Sequence, residues 1–125
     1  MRTPDAKRET AVARGRRCEA LAQAYLEDLG YAVIARNHRC QGGEVDLIAF
    51  DAGVLCFIEV RARSTEDFGS PLETIDARKI RRIVRASADF LQNLTGRWPP
   101  MRFDALGIVL REPPEYTLIR AAFEA

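Results

Sequence analysis

"GGEVDLIAFDAGVLCFIEVRAR", residues 42–63, reads as two strands joined by a tight turn. Asp51-Ala52-Gly53 supplies residue types that favour a sharp reversal, and apolar residues fill both flanks. With the turn centred on Ala52-Gly53, antiparallel pairing sets Asp46 opposite Glu59 and Glu44 opposite Arg61. Side chains in a strand alternate with a period of two, so these four share a face with Ile48, Phe50, Leu55 and Phe57. Val45, Leu47, Ala49, Val54, Cys56, Ile58 and Val60 take the other face. Both faces are covered near the turn, and the carboxylates occupy the polar end of one.

Two carboxylates directly opposite on a sheet have Cβ atoms ~4.5–5.5 Å apart and repel. A proton on one acid, a neighbouring arginine such as Arg61, or a divalent cation would offset the repulsion. Mg²⁺ takes carboxylate oxygens and keeps several waters, so one ion could bridge the pair and hold a hydrolytic water. A salt-bridge network at the end of a sheet is the competing reading.

Outward from the hairpin, the 125-residue chain has the length of one compact domain. Its 47% hydrophobic and 30% charged residues suit a globule, and no apolar run approaches the ~18 residues of a membrane span. The opening MRTPDAKRET has no apolar leader stretch, so the cytoplasm is the expected location. Residues 1–8, polar and interrupted by Pro4, are expected to be disordered, with one domain over 9–125. Three cysteines without zinc-site spacing (Cys18, Cys40, Cys56) read as small buried hydrophobes. The single histidine, His38, reads as a surface imidazole, which excludes His-dependent triads.

Between Glu9 and Leu29, the positions of Cys18, Leu21, Ala22, Tyr25, Leu26 and Leu29 predict an amphipathic helix ended by Gly30. YAVIARNHR (31–39) reads as a strand. In the loop STEDFGSPLET (64–74), Ser70, Pro71 and Glu73 form a helix-start signature for a second helix running to about Leu94. TGRWPP (95–100) breaks the chain, and MRFDALGIVL (101–110) and YTLIRAAF (116–123) read as strands joined around Pro113-Pro114. The order α-β-β-β-α-β-β describes an α/β or α+β sheet flanked by helices.

Glu19 projects at the border of the first helix's apolar stripe, where it could face the sheet edge, whereas Glu27 and Asp28 project to solvent. On the second helix, Ile80, Ile83, Val84, Ser87, Phe90, Leu91 and Leu94 cluster on one side. Arg78, Arg81, Arg82 and Arg85 cluster on the other, with Lys79 at the border. The net charge of +1 argues against indiscriminate polyanion binding, but all except two of the nineteen basic residues are arginine. The four stripe arginines could grip successive phosphates, or form a solvated face. No aromatic residues interleave with them, which argues against base-stacking readout.

A helix acid, a strand aspartate and E-V-R on the next strand, followed by a helix, resemble the PD-(D/E)XK nuclease superfamily. More narrowly, GRRCEALAQAYLEDLGYAVIARNHR, GGEVDLIA, FIEVRAR, FGSPLETI, RKIRRIVRASADFL and RFDALGIVL are similar to the YraN-type family of bacterial proteins, over roughly residues 15–123. The resemblance implies a restriction-endonuclease-like mixed sheet flanked by helices and an endonuclease related to Holliday-junction resolvases. It implies Mg²⁺ or Mn²⁺ on Asp46, Glu59 and the Val60 carbonyl. Glu19 would be a third acid acting directly or through water, with Glu44 supporting the ligands from behind.

The motif's last residue is normally lysine and here is Arg61. Arginine stays protonated and cannot act as a base, although it can orient water or stabilise charge on phosphorus. Lys79 is the one lysine of the expected folded body, so whether it reaches the hairpin acids is a question for the structure. Two readings follow: a metal-dependent endonuclease on DNA, possible substrates including branched or junction DNA, or a nucleic-acid-binding module of nuclease fold that cleaves weakly or not at all. A resolvase role would imply a homodimer, with a sheet edge near residues 101–121 as a candidate surface. A protein-interaction scaffold would bind neither metal nor nucleic acid.

Overall fold

The computed structural model describes residues 9–65 and 69–125, so the expected disorder of residues 1–8 lies outside the described residues. Helix α1 spans Ala11–Asp28, and strands β1, β2 and β3 span Ala32–Cys40, Gly43–Asp51 and Val54–Ser64. A 3₁₀ turn at Pro71–Thr74 precedes helix α2 (Ala77–Gln92), followed by β4 (Met101–Leu110) and β5 (Glu115–Phe123). The five strands form one sheet in chain order, antiparallel except for the β3–β4 pair. A parallel pair needs a long crossover, and α2 supplies it.

The two helices cover opposite faces. Ala22 and Leu26 of α1 pack with Tyr31, Leu47, Ala49, Cys56, Ile58, Leu106 and Ile108. Ile83, Ala86 and Leu91 of α2 pack with Val45, Ile48, Leu55 and Phe57. Fully burying a side chain of leucine or phenylalanine size stabilises by ~1.5–3 kcal/mol, so these layers fix where each strand can lie.

Local chemistry sets the helix ends. Thr10 Oγ1 accepts the Ala13 N–H at 3.0 Å to start α1. At its other end the Tyr31 N–H reaches Leu26 O and the Gly30 N–H reaches Glu27 O, each at 3.0 Å. Gly30, at φ +99, makes this double closure possible and delivers Tyr31 directly into the core.

The start signature at Ser70 opens only the four-residue 3₁₀ turn, because Ile75 is extended (φ −87, ψ 100). Helix α2 starts after Asp76, whose carboxylate accepts the Lys79 N–H at 2.9 Å. Ala86 is buried in addition to the predicted Ile83, Ser87 and Leu91. A Cβ at Gly43 would stand 2.7 Å from Ala86 N and 2.8 Å from Arg82 O, so glycine there lets α2 lie directly on β2.

Cys18 and Cys56 are buried as expected, whereas Cys40, at the end of β1, is only half-buried. The candidate edge within residues 101–121 reduces to β5, since β4 is paired on both sides. Among the described residues no helix is long and apolar enough to cross a membrane.

Candidate functional site

Strands β2 and β3 pair in the predicted register from the turn as far as Leu47 and Ile58. Beyond that rung Asp46 leaves the ladder, and its Oδ2 accepts the Val60 N–H at 2.8 Å. The side-chain phase reverses at the same level. Ala35, Ile48 and Phe50 contact the α2 layer on the turn side of it, while Cys40 and Val45 contact that layer on the far side. Asn37, between the pairs Arg36–Leu47 and His38–Val45, has φ +51. A left-handed residue within a strand breaks strict alternation, which corrects the expectation that Val45 shares a face with Leu47 and Ala49.

Glu59 follows the alternation of Leu55 and Phe57 onto the α2 face, where it is 1% exposed. Its Oε2 lies 3.4 Å from Arg61 Nε and 3.4 Å from Lys79 Nζ. Neither Oε2 nor Arg61 Nε makes a hydrogen bond. Burial raises the Glu59 pKa most and the adjacent Asp46 carboxylate raises it further, against the opposing pull of Lys79 and Arg61. The two neighbouring cations therefore only partly compensate this acid. A pair of hard carboxylates, one with a buried oxygen lacking a hydrogen bond, fits Mg²⁺ or Mn²⁺, which binds through one or two carboxylates and keeps waters.

The other expected acids lie elsewhere. Glu44 is the cross-strand partner of Arg39, and its Oε2 is 3.5 Å from Arg39 Nε. Its predicted opposition to Arg61 fails because the β2–β3 ladder has already ended. Glu19 Oε1 accepts the Asn37 Nδ2–H at 2.7 Å. Among the described residues no three histidine, cysteine, aspartate or glutamate side chains converge as a metal site, so Asp46 and Glu59 stand as a pair.

Lys79 reaches Glu59 from the first turn of α2, and the basic stripe continues from it. Arg78, Arg81 and Arg85 are exposed and Arg82 is half-buried. A cleft of about 270 Å³ is lined by Arg61, Thr74, Asp76, Arg78, Lys79 and Arg82. A shallower groove of about 500 Å³ is lined by Gln41, Gly42, Arg78, Arg81, Arg82 and Arg85. The two share Arg78 and Arg82, giving a continuous basic path from beside Glu59 to the β1–β2 turn. Arg85 Nε is anchored there on Gln41 O at 3.1 Å.

Sequence reasoning missed Asn37 and Gly43, and it misjudged His38. His38 is half-buried, with Nε2 2.8 Å from Asp89 Oδ2 and its ring edge-on to Phe90, so it ties β1 to α2. An asparagine inside a strand pattern was the available signal, because asparagine tolerates the left-handed region better than most residues. Asp104 was also missed. It is fully buried on the α1 face, one rung from Glu59, since Ile58 pairs with Asp104 and Glu59 with Ala105. Asp104 accepts from Tyr31 Oη at 2.9 Å, Arg102 Nε at 2.8 Å and Ala121 N at 3.0 Å. Burial pushes its pKa up, but the hydrogen bonds from Arg102, Ala121 and Tyr31 together bring it below the usual value.

Comparison with known proteins places this geometry in a family. Residues 18–108 match the family described as Uncharacterised protein family UPF0102. A UPF0102 protein of Anaeromyxobacter sp. (strain Fw109-5) is 40% identical over 113 residues, covering 90% of this chain and 85% of its own. One from Pseudomonas aeruginosa (strain LESB58) is 38% identical over 123 residues, covering 94% and 98%. A third, from Chlorobium chlorochromatii (strain CaD3), is 44% identical over 94 residues, covering 75% and 72%. The family match spans both hairpin acids, Lys79 and the whole arginine stripe, and the chain belongs to the UPF0102, or YraN-type, family.

Proposed function

We propose that the chain is a metal-dependent endonuclease acting on the DNA backbone, with Mg²⁺ or Mn²⁺ held by Asp46, Glu59 and the carbonyl of Val60. The observation that carries this reading is Glu59, a buried carboxylate with no hydrogen bond on Oε2, beside a second acid and at the head of a basic groove. A cation held there would lower the pKa of a water and neutralise charge on the attacked phosphate.

The protein's own groups supply the rest. Asp46 is fixed through Oδ2 by the Val60 N–H, and its other oxygen would serve the ion. Arg61 and Lys79 bring two positive charges to one point beside Glu59, suited to negative charge developing on phosphorus oxygens. Arg78 and Arg82, followed by Arg81 and Arg85, hold backbone phosphates along the groove. With no aromatic side chain lining either groove, this grip is independent of base sequence.

A second reading, a binding module that cleaves weakly or not at all, is favoured by the same two cations, which partly neutralise Glu59 without any metal. The separating experiment is cleavage of labelled four-way junction, flap, duplex and single-stranded DNA in Mg²⁺ and in Mn²⁺, with Asp46→Ala and Glu59→Ala alongside. Metal-dependent cutting lost in both variants is expected, and the preferred substrate names the DNA structure recognised. Metal-independent binding without cutting would select the second reading.

A further inference from the structure

Asn37 supplies no group to the proposed reaction, yet it stands level with Asp46 in the β1–β2 ladder. Its backbone is left-handed, at φ +51, and its Nδ2 donates to Glu19 Oε1 across the gap to α1 at 2.7 Å. Glu19 sits on an anchored stretch of α1, since Cys18 and Ala22 are buried and Ala22 packs in the core against the sheet. An uninterrupted β1 would keep side chains alternating through this level and favour Asp46 as an ordinary ladder residue. Instead the alternation reverses here, and the Asp46 carboxylate turns in to take the Val60 N–H.

We infer that Glu19 and Asn37 are positioning residues for the hairpin acids: Glu19 holds Asn37 in its left-handed conformation, and the resulting bend aims the Asp46 carboxylate at Val60 and Glu59. The inference rests on the proposed reading of Asp46 and Glu59 as the metal site, and it assigns Glu19 a supporting role in place of metal ligation. Three observations agree with that role. Glu19 is already engaged as an acceptor, no three-carboxylate cluster forms among the described residues, and Asn37 offers the donor that a fixed carboxylate oxygen requires. Asparagine is also among the few side-chain-bearing residues that visit the left-handed region routinely.

A carboxamide can accept the Asn37 hydrogen bond as well as a carboxylate can, but it lacks the charge expected of a metal-ligating acid. Glu19→Gln therefore separates the two roles. Two readouts are needed: Mn²⁺ affinity by calorimetric titration, and hydrogen exchange of the Val60 amide in metal-free protein. Glu19→Ala is expected to weaken Mn²⁺ binding by about 10–100-fold, the usual cost of losing a partner that orients a ligand. It should also speed Val60 exchange, while Glu19→Gln stays close to the parent in both.

A Glu19→Gln variant as impaired in Mn²⁺ binding as Glu19→Ala would overturn the inference, since charge at the metal would then be what matters. So would a Glu19→Ala variant unchanged in Val60 exchange. Asn37→Ala, which deletes the donor and disfavours the left-handed backbone, carries the same expectations as Glu19→Ala if that variant does not fold. A parent chain that binds no Mn²⁺ defeats the metal reading, and Val60 exchange still decides whether Glu19 and Asn37 aim Asp46.

Discussion

Glu59 and Asp104 are both buried carboxylates, one rung apart on neighbouring strands and on opposite faces of the sheet. Asp104 is surrounded by donors: the Tyr31 hydroxyl, the Arg102 guanidinium and the Ala121 N–H. Glu59 has Oε2 without a hydrogen bond, although two cations stand within 3.4 Å. Their pKa values move in opposite directions, Asp104 down and Glu59 up. Burial pushes both pKa values up; the donors around Asp104 reverse that push, whereas the neighbouring Asp46 carboxylate adds to it at Glu59. A saturated carboxylate ties strands together, whereas one left short of donors is what a site awaiting a ligand requires.

The contrast predicts its largest effect at Asp104. Replacing it with alanine strands the Tyr31 hydroxyl, the Ala121 N–H and part of Arg102, and removing one member of a buried pair costs ~3–5 kcal/mol. Urea unfolding of Asp104→Ala should show a loss of that order. The folded pKa lies below its ordinary value of 3.8, so this contribution is present above pH 3.8 and lost as pH falls through the folded value. Acid titration of stability should accordingly be shallower in the variant. A loss under about 1 kcal/mol, no more than an average hydrogen bond, would remove Asp104 as the structural pole of the comparison.

Gly43→Ala tests the packing behind the Glu59 end. The added Cβ meets the backbone of Ala86 and Arg82, which cannot swing aside, so α2 must shift on β2. Overpacking of this kind costs ~1–3 kcal/mol. Because Lys79 rides on α2, the variant should also weaken DNA cleavage beyond what its lower stability explains, measured at a temperature where both proteins are fully folded.

Much of this was legible in the sequence. The register of the hairpin followed from the DAG turn as far as Leu47 and Ile58, and Asp46 still lies beside Glu59 although it has left the ladder to take the Val60 N–H. Lys79 at the stripe border does reach Glu59. The failures around β1 and β2 share one cause, the assumption that side chains alternate without interruption. A single left-handed asparagine shifts Val45, His38 and Cys40 toward α2 and helps direct Glu44 away from Arg61. The Asp104 network was hidden for another reason. Arg102 lies two residues from Asp104 on β4, but Tyr31, Asp51 and Ala121 come from distant segments that no local spacing joins to it.

A smaller effect, opposite in sign to that at Asp104, is expected at Glu59. Glutamine mimics the protonated acid, so Glu59→Gln should match the parent near the ordinary glutamate value of 4.5 and exceed it in stability at pH 8 in metal-free buffer. The sign follows from the raised pKa: the penalty is absent below the unfolded value and grows as pH rises toward the folded one. A gain of about 1–2 kcal/mol is the scale for relieving an under-bonded buried polar group. Saturating Mn²⁺ should reverse the order, stabilising the parent by about 2.7 kcal/mol at a hundred times its dissociation constant and leaving the variant almost unmoved. A parent more stable than Glu59→Gln in metal-free buffer at pH 8 would mean that Arg61 and Lys79 fully compensate the acid.

The smallest expected effect on stability, and the sharpest on binding, concerns the two exposed arginines that sit with these poles. Arg81 lies on the groove running from Glu59, and Arg120 lies over the Tyr31 ring beside Asp51. Both are exposed, so alanine at either position should leave the melting temperature nearly unchanged. Their consequences for DNA should differ. Losing one phosphate contact lowers the slope of log affinity against log salt by about 1, so Arg81→Ala should flatten the salt dependence uniformly across DNA sequences. Arg120→Ala should leave the slope as it was, because its guanidinium serves Asp51 and Tyr31. Equal slopes in the two variants would show that net charge rather than the α2 groove draws DNA, and the Glu59 end would lose its claim to be the nucleic-acid face.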